Sequence, residues 1–199
     1  MPTIGLDKLH YATYTYTPAS GSTAASVAYG TPVQLAPAIS ANITPNFATA
    51  ELYGDDIITD DLSAFTNATI ELNLRDLDPA QLIALFGVRR GSKGEVVYSA
   101  EDVSAEVAIG FRAKKSPGTH YRYYWFRRVK FTLPASAWNT QGDSITFNTP
   151  TITGKVMPDL LADAASKHQW EFHLDDDDTT SGASAQISGW FTAVPTVSF

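Results

Sequence analysis

The sequence predicts a mainly β fold: a β-sandwich or barrel with one short flanking α-helix at about residues 78–87. Thr, Val, Ile and aromatic residues are common, and Pro, Gly, Asn and Asp interrupt them at short intervals, which is typical of strands joined by turns. Only residues 78–87 carry a full set of helix signals. The 199 residues have an apolar content of 44%, so we expect a single domain over residues 1–199.

The clearest strand signal is the alternation in residues 66–75. Its apolar members Ile70, Leu72 and Leu74 point to one side, as in a half-buried strand. Residues 143–148 alternate in the same way. The polar sides of these two strands present Thr69, Glu71, Asn73, Ser144, Thr146 and Asn148.

The most aromatic part of the chain predicts a hairpin. Residues 105–115 and 120–133 flank the turn sequence SPGT. Alternation in the second arm predicts one core-facing side, made of Tyr121, Tyr123, Trp125, Val129, Phe131 and Leu133. Residues 38–52 predict a further strand region, interrupted at Pro45.

The predicted helix has recognisable ends. Asp78 suits the N-cap, Pro79 the first helical position and Gln81 the third residue of a capping box. Gly87 is placed to end the helix. A weaker helix is predicted within residues 158–167.

The last part of the chain, about residues 158–199, is less regular. The stretch DDDDTTSGASA at residues 175–185 predicts a loop or the start of a C-terminal arm. The sequence assigns no role to this part.

Charge is segregated along the chain, whose net charge is −7. Residues 89–130 contain ten basic and four acidic residues, against four and seventeen elsewhere. This pattern is typical of two solvated faces, or of a molecule that meets copies of itself through opposite charges. The basic residues that we consider for such a contact are Arg112, Lys114, Lys115, Arg127, Arg128 and Lys130.

The stretch ELYGDDIITDD, residues 51–61, holds five carboxylates and no basic residue. It follows one predicted strand and precedes another, so a loop is expected over about residues 50–66. Its candidate contact residues are Tyr53, Asp55, Asp56, Ile57, Ile58, Asp60 and Asp61. Little apolar surface anchors this stretch, so we expect residues 53–62 to be mobile in an isolated subunit and to become ordered on assembly.

Several kinds of chemistry find little support. The chain has no cysteine, no nucleophile motif and no Gly-rich phosphate loop, so we expect no enzyme and no cofactor. His168, His173 and residues 175–178 lack the ligand spacing of a metal site. The adjacent aspartates at 55–56 and 60–61 could form the carboxylate pair of a glycosidase, although solvated loops carry such pairs more often.

The segment HYRYYWFRRVKF mixes basic and aromatic residues, as single-strand-binding proteins do. A strand that packs in the core explains the same pattern. The acidic net charge of the chain disfavours binding to the phosphates of a nucleic acid. The N-terminus lacks a basic start followed by an apolar run, so no signal peptide is expected. No apolar stretch reaches about 18 residues, so no membrane-spanning helix is expected.

Five stretches resemble, in their order and spacing, the major tail proteins (tail tube proteins) of long-tailed, siphovirus-type phages of Gram-positive bacteria. They are IGLDKLHYA, YGTPVQLAPAISANITPNFATAELYGDD, ATIELNLRDLDPAQLIALFG, RYYWFRRVKFTLPA and GDSITFNTPTITG. The resemblance covers about residues 4–156 and is less clear beyond them.

The resemblance implies a structural virion protein with the tail tube type of β-sandwich. Such subunits form hexameric rings that stack head to tail into a tube, and DNA passes through its lumen without specific binding. Implied partners are other copies of the chain and further tail proteins such as the tape measure and the tail terminator. The implied location is the virion tail, or the host cytoplasm during assembly. The acidic stretch then corresponds to an extension that reaches the adjacent ring. Its carboxylates could pair with the basic segment 89–130 of a neighbour, or they could line the lumen. The polar strand sides are candidates for the lumen wall.

A ring of six subunits is wide enough for duplex DNA to pass through it. Four strands from each subunit, spaced about 4.8 Å and tilted about 40°, give a backbone diameter of roughly 48 Å. Two alternatives remain open: a tube subunit of a phage-tail-like injection machine, and a carbohydrate-binding or hydrolytic β-sandwich of a different class.

Overall fold

The computed structural model of the protein describes residues 2–54, 57–135 and 148–197, and the side chains at 53–59 lie outside that description. About half of the chain is in strands, which confirms the mainly β prediction. The strands are β1 (Thr3–Thr17), β2 (Ser26–Tyr29), β3 (Val33–Gln34), β4 (Ala38–Gly54), β5 (Ile57–Leu74), β6 (Arg89–Arg90), β7 (Val96–Val97), β8 (Glu106–Lys115), β9 (Tyr121–Thr132), β10 (Thr151–Met157) and β11 (Glu171–Asp175). The helices are α1 (Pro79–Phe86) and α2 (Ala183–Ser188).

One large antiparallel sheet organises the molecule, with strand order β2-β1-β8-β9-β10-β5-β4. β3 also pairs with β1, and β11 pairs with β9 beyond the end of β10. The sheet curls, so that β1 and β4 line opposite sides of a cleft of about 500 Å³. The main core lies on the side of the sheet against which α1 packs Leu85 and Phe86.

The alternation predicted in β5 is confirmed. Ile70, Leu72 and Leu74 are fully buried in the main core, while Thr69 and Asn73 are half-buried on the other face and Glu71 is exposed. Three buried aliphatic side chains of this kind contribute about 1.5–3 kcal/mol each relative to exposure, which fixes the register of the strand.

The helix α1 is confirmed at both ends. The Gln81 side chain accepts a hydrogen bond from the Asp78 backbone N–H at 3.1 Å, as in a capping box. Gly87 ends the helix in the left-handed conformation (φ 70°), and its N–H donates to the Ile83 carbonyl. A side chain at Gly87 would also collide with the Val103 backbone.

The prediction that one side of β9 carries all its core residues is wrong. A register shift lies opposite Ala108, where Arg127 and Arg128 together face a single residue of β8. This bulge reverses the alternation. Trp125 therefore lies in a second core, whereas Val129 and Phe131 lie in the main core, and Leu133 beyond the strand is half exposed. Both faces of β9 are thus covered.

The C-terminal part corrects two predictions. Residues 158–167 form turns rather than a helix, and the short helix α2 lies in the segment predicted as a loop or arm. This part packs across the outer face of β1, β8 and β9 and buries Trp190 completely. It therefore supplies the cover of the second core instead of extending from the domain.

The acidic stretch at 51–61 is not a loop in the described residues. β4 and β5 stay paired as far as Gly54 and Ile57, so the stretch forms the end of a β-hairpin. Asp55 and Asp56 lie outside the described residues. The expected mobility of the isolated stretch stays a prediction.

Pro45 does not interrupt β4 as predicted. The strand continues through it, with Pro45 opposite Ala68 and a register shift just beyond, between Asn46 and Phe47. β4 is the last strand of the sheet, and an edge strand tolerates proline because the missing N–H need not serve a neighbour. Among the described residues, no helix is long and apolar enough to cross a membrane.

Candidate assembly surfaces

The first candidate surface is a two-stranded ribbon, residues 46–54 of β4 paired with residues 57–67 of β5. β10 pairs with β5 only from Ala68 to Asn73, so the ribbon extends past its neighbours in the sheet. Its base is held by Phe65, which stacks on Trp170 with ring centroids 4.6 Å apart. Beyond that base the described side chains are exposed or nearly so.

The ribbon has one apolar face. Directly opposed residues share a face, so the pairs Ala50–Leu62 and Leu52–Asp60 lie on the same side. Leu52 is 64% exposed and Leu62 is 67% exposed. On the other side Glu51 stands opposite Asp61, a repulsive cross-strand pair. The ribbon therefore carries both an exposed apolar face and two carboxylates directly opposite each other.

The second candidate surface is the polar face of the sheet, on the side away from the main core. Thr69, Glu71 and Asn73 of β5 line up in register with polar residues of the neighbouring strands. The polar face consists of Ser40, Asn42, Thr44, Thr69, Glu71, Asn73, Lys130, Thr132, Thr151, Thr153 and Lys155. Its ionisable residues are Glu71, Lys130 and Lys155.

Hydrogen bonds made by side chains order the polar face. The Asn73 amide donates to the Thr151 hydroxyl at 2.9 Å, and the Thr132 hydroxyl donates to the Thr153 carbonyl at 3.0 Å. Of the other predicted lumen residues, Asn148 is exposed just before β10, whereas Ser144 and Thr146 lie outside the described residues. The structure thus joins β4, β5, β10 and the end of β9 into one polar surface that carries one carboxylate and two lysines.

The predicted basic patch is largely engaged within the chain. Arg112 forms a bidentate pair with Asp7 at 2.6 and 2.8 Å, and Arg128 forms one with Glu106 at 2.7 and 2.8 Å. The paired carboxylates raise the pKa of both guanidiniums, which stay charged. In the described part of the chain, Lys114 and Lys130 are the members of the patch without an ion pair.

Arg127 is buried, contrary to an exposed contact role. Its guanidinium lies 3.7 Å from a carboxylate oxygen of Asp159 and 4.9 Å from the centre of the Phe172 ring. Asp159 also accepts hydrogen bonds from the hydroxyls of Tyr14 at 2.8 Å and Tyr29 at 3.1 Å. Burial raises the pKa of both phenols, so they remain neutral donors. This cluster fastens the start of the C-terminal part to the sheet.

The acidic run at 175–178 also serves the fold. The buried Lys115 ammonium pairs with Asp177 and, at 2.7 Å, with Asp175, which forms a second pair with Arg122 at 2.6 Å. His120 contacts Asp176 at 2.9 Å. No group of three or more potential metal ligands occurs among the described residues. The run therefore links the C-terminal part to the β8–β9 hairpin.

This link predicts acid sensitivity. Hydrogen bonds from Arg122 hold the pKa of Asp175 well below its usual range, and Lys115 lowers the pKa of Asp177. Because both values are lower in the folded state, their stabilisation is present above the unfolded pKa of about 4 and is lost as the pH falls below it. The variant with Asp175→Asn and Asp177→Asn should therefore lose less thermal stability on acidification than the parent.

Melting curves between about pH 3 and pH 7 measure this difference. Asp60→Asn, on the exposed ribbon, is the matched control and should keep the parent's pH dependence. Equal acid sensitivity of the double variant and the parent would contradict the role of the link.

No protein-family model and no curated protein matches the chain. The candidate surfaces therefore rest on the geometry of this molecule. Sequence reasoning missed Lys155, which lies opposite Lys130 in the adjacent strand. Only the strand register brings the two lysines together.

Proposed function

We propose that the protein is a structural virion protein, the major tail subunit of a long-tailed phage. In this proposal six subunits form a ring, rings stack into a tail tube, and the lumen conducts DNA into the host. Other tail proteins, such as the tape measure and the tail terminator, are its further partners. The observation that carries the proposal is the ribbon, and the resemblance of the sequence to tail tube proteins supports it.

The ribbon is expected to be only marginally stable in an isolated subunit. A two-stranded hairpin without further partners is marginally stable in water, and this one also exposes Leu52 and Leu62. Exposed apolar surface of this kind is typical of interaction sites. A neighbouring subunit would cover the apolar face and order the ribbon.

The polar face suits a wall along which DNA slides. A duplex carries one negative charge per roughly 1.7 Å, so a basic wall would hold it through release of counterions. Hydroxyl and amide groups make up most of this face, and the carboxylate of Glu71 offsets part of the charge of Lys130 and Lys155, so little net positive charge remains to hold a duplex. The face extends over β4, β5, β10 and part of β9, which supports a contribution of about four strands per subunit to a common wall.

Electron microscopy of the purified protein at increasing concentration tests the proposal. We expect rings or tubes with a bore of roughly 35 Å, obtained by subtracting about 6 Å of side chain from each wall of a 48 Å backbone circle. A protein that stays monomeric at every concentration and binds glycans would contradict it. A reconstruction with Thr69 and Glu71 on the outer surface would overturn the lumen assignment alone.

A further inference from the structure

The cleft of about 500 Å³ between β1 and β4 opens from the main core rather than from the polar face. Its volume lies in the range of sites for small molecules, which often occupy the mouth of a curled sheet or barrel. Leu6, Ile39 and Ile43 line its two sides, and Ile39 is 58% exposed. The cleft therefore presents apolar surface to the solvent.

The cleft remains open because β1 does not pair with β4 in the described part of the chain. β1 has two register shifts against β8 between Ile4 and His10. Gly5 (φ 69°) and Lys8 (φ 52°) adopt the left-handed conformation in this stretch. Bulges of this kind bend a strand, and they are common at sheet edges and beside active sites.

Aromatic rings form the floor of the cleft. Phe111 lies in β8, and Tyr124 and Phe126 lie in β9. The ring centroid of Phe111 is 5.2 Å from that of Tyr124 and 6.0 Å from that of Phe126, so the three rings form one continuous surface. Aromatic rings attract cations that lie within about 6 Å of the ring centre. The floor therefore suits an apolar group or a cation.

Glu171 is the only carboxylate among the described residues that line the cleft. It lies in β11 directly opposite Phe126, so the two side chains share a face. The Glu171 side chain is 23% exposed, and burial raises the pKa of its carboxyl group. Within the described part of the chain its nearest basic atom is Nδ1 of His173, at 3.6 Å, which is beyond hydrogen-bond distance.

The charge of the cleft favours a cationic ligand. A half-buried carboxylate is stabilised by an opposite charge within about 4–6 Å, whereas an anionic ligand would be repelled. The basic side chains at the same end of β8 and β9 are already engaged, since Lys115 and Arg122 pair with Asp175. Among the described residues, no lysine or arginine lines the cleft, so the opposite charge has to come from a ligand.

From this arrangement we propose that the cleft binds an organic ammonium ion with an apolar body. The ammonium group lies beside the Glu171 carboxylate and near the Tyr124 ring. The apolar body lies against Phe111 and the aliphatic sides of the cleft. The inference goes beyond the proposed tube function and does not depend on it, because the residues that line the cleft all belong to one subunit.

Isothermal titration calorimetry of the purified full chain with 2-phenylethylammonium tests the site. We expect a dissociation constant below about 1 mM at neutral pH. The matched neutral probe is 2-phenylethanol, which has the same aromatic body and no charge. It should bind at least about tenfold more weakly. This comparison needs no substitution in the chain.

Glu171→Gln keeps the shape of the side chain and removes its charge. It should weaken binding of the ammonium about tenfold and leave the affinity for 2-phenylethanol unchanged. Glu101→Gln, at an exposed position outside the cleft, is the matched control and should keep the parent's affinity. Urea unfolding of both variants verifies that they are folded.

Three outcomes would overturn the inference. The first is no binding by the parent chain up to about 10 mM ammonium. The second is equal affinity for 2-phenylethanol, which would show that the cleft selects only for apolar groups. The third is equal weakening by Glu171→Gln and Glu101→Gln, since the net charge of the chain would then account for the effect. A chain that binds the ammonium but forms no tubes keeps this site and contradicts the proposed function.

Discussion

A subunit with a shortened ribbon is expected to fold normally and to form no tubes. Thr49 and Ser63 stand directly opposite each other, so residues 50–62 can be replaced by an Asn-Gly turn that closes the same two strands. The described side chains removed are exposed, and the free energy of unfolding should change by less than about 1 kcal/mol. Loss of the ribbon, the contact surface on which the proposed tube function rests, should abolish stacking altogether.

Urea unfolding and electron microscopy of the shortened chain check the two halves of this prediction. A chain with Asp60→Asn and Asp61→Asn is the matched milder variant. Exposed ion pairs are worth at most about 1 kcal/mol each, so this variant should stack at a higher concentration rather than fail. Long tubes from the shortened chain at the parent's concentration would show that the ribbon has another purpose.

The largest effect on stability is expected from Trp190→Ala, with a loss of about 3–5 kcal/mol in the free energy of unfolding. Trp190 is fully buried against Tyr123 and Phe172, and its carbonyl accepts a hydrogen bond from the Trp125 indole at 3.1 Å. Removal of the ring leaves a cavity in the second core and loosens the C-terminal cover of β9.

Trp190→Phe separates packing from polarity. The Trp190 indole N–H is buried and has no hydrogen-bond partner among the described residues, so phenylalanine removes an unsatisfied donor while keeping most of the apolar contact. Its cost, measured by urea unfolding, should be less than half that of Trp190→Ala. A loss below about 1 kcal/mol for Trp190→Ala would mean that the C-terminal part does not support the sheet.

Elements with local signals could be predicted from the sequence. The helix α1 is specified by Asp78, Pro79, Gln81 and Gly87, all within ten residues of one another. The faces of β5 follow from simple alternation, because the core meets only one side of that strand. In both cases the determining contacts are close in the sequence or repeat with a fixed period.

Features that depend on distant partners could not be predicted. Arg112 and Asp7 are separated by 105 residues, so their pair depends on the register of β1 and β8. The bulge at Arg127 and Arg128 reverses the alternation of β9, and a single-sequence pattern cannot show that two residues oppose one. The sequence therefore predicts more basic residues in the exposed patch than the structure shows.

The sequence predicts a loop where the structure forms the ribbon, for a related reason. Aspartate disfavours strands, and neither side of residues 51–61 shows the alternation that a core imposes. The pairing of β4 with β5 continues from the part of the hairpin that does meet the core. The strand conformation of residues 51–61 follows from pairing in the adjacent part of the hairpin. It is not specified by the side chains of these residues.

Pro45 has a consequence for subunits that have not yet assembled. Under the proposed tail function, free subunits exist before a tube forms, and an exposed edge strand such as β4 can pair with strands of other molecules and seed amyloid-like aggregates. A strand that pairs along this edge meets Pro45, which has no N–H to donate, and then the register shift between Asn46 and Phe47. Pairing of further strands along this edge is therefore limited, which disfavours aggregation of free subunits.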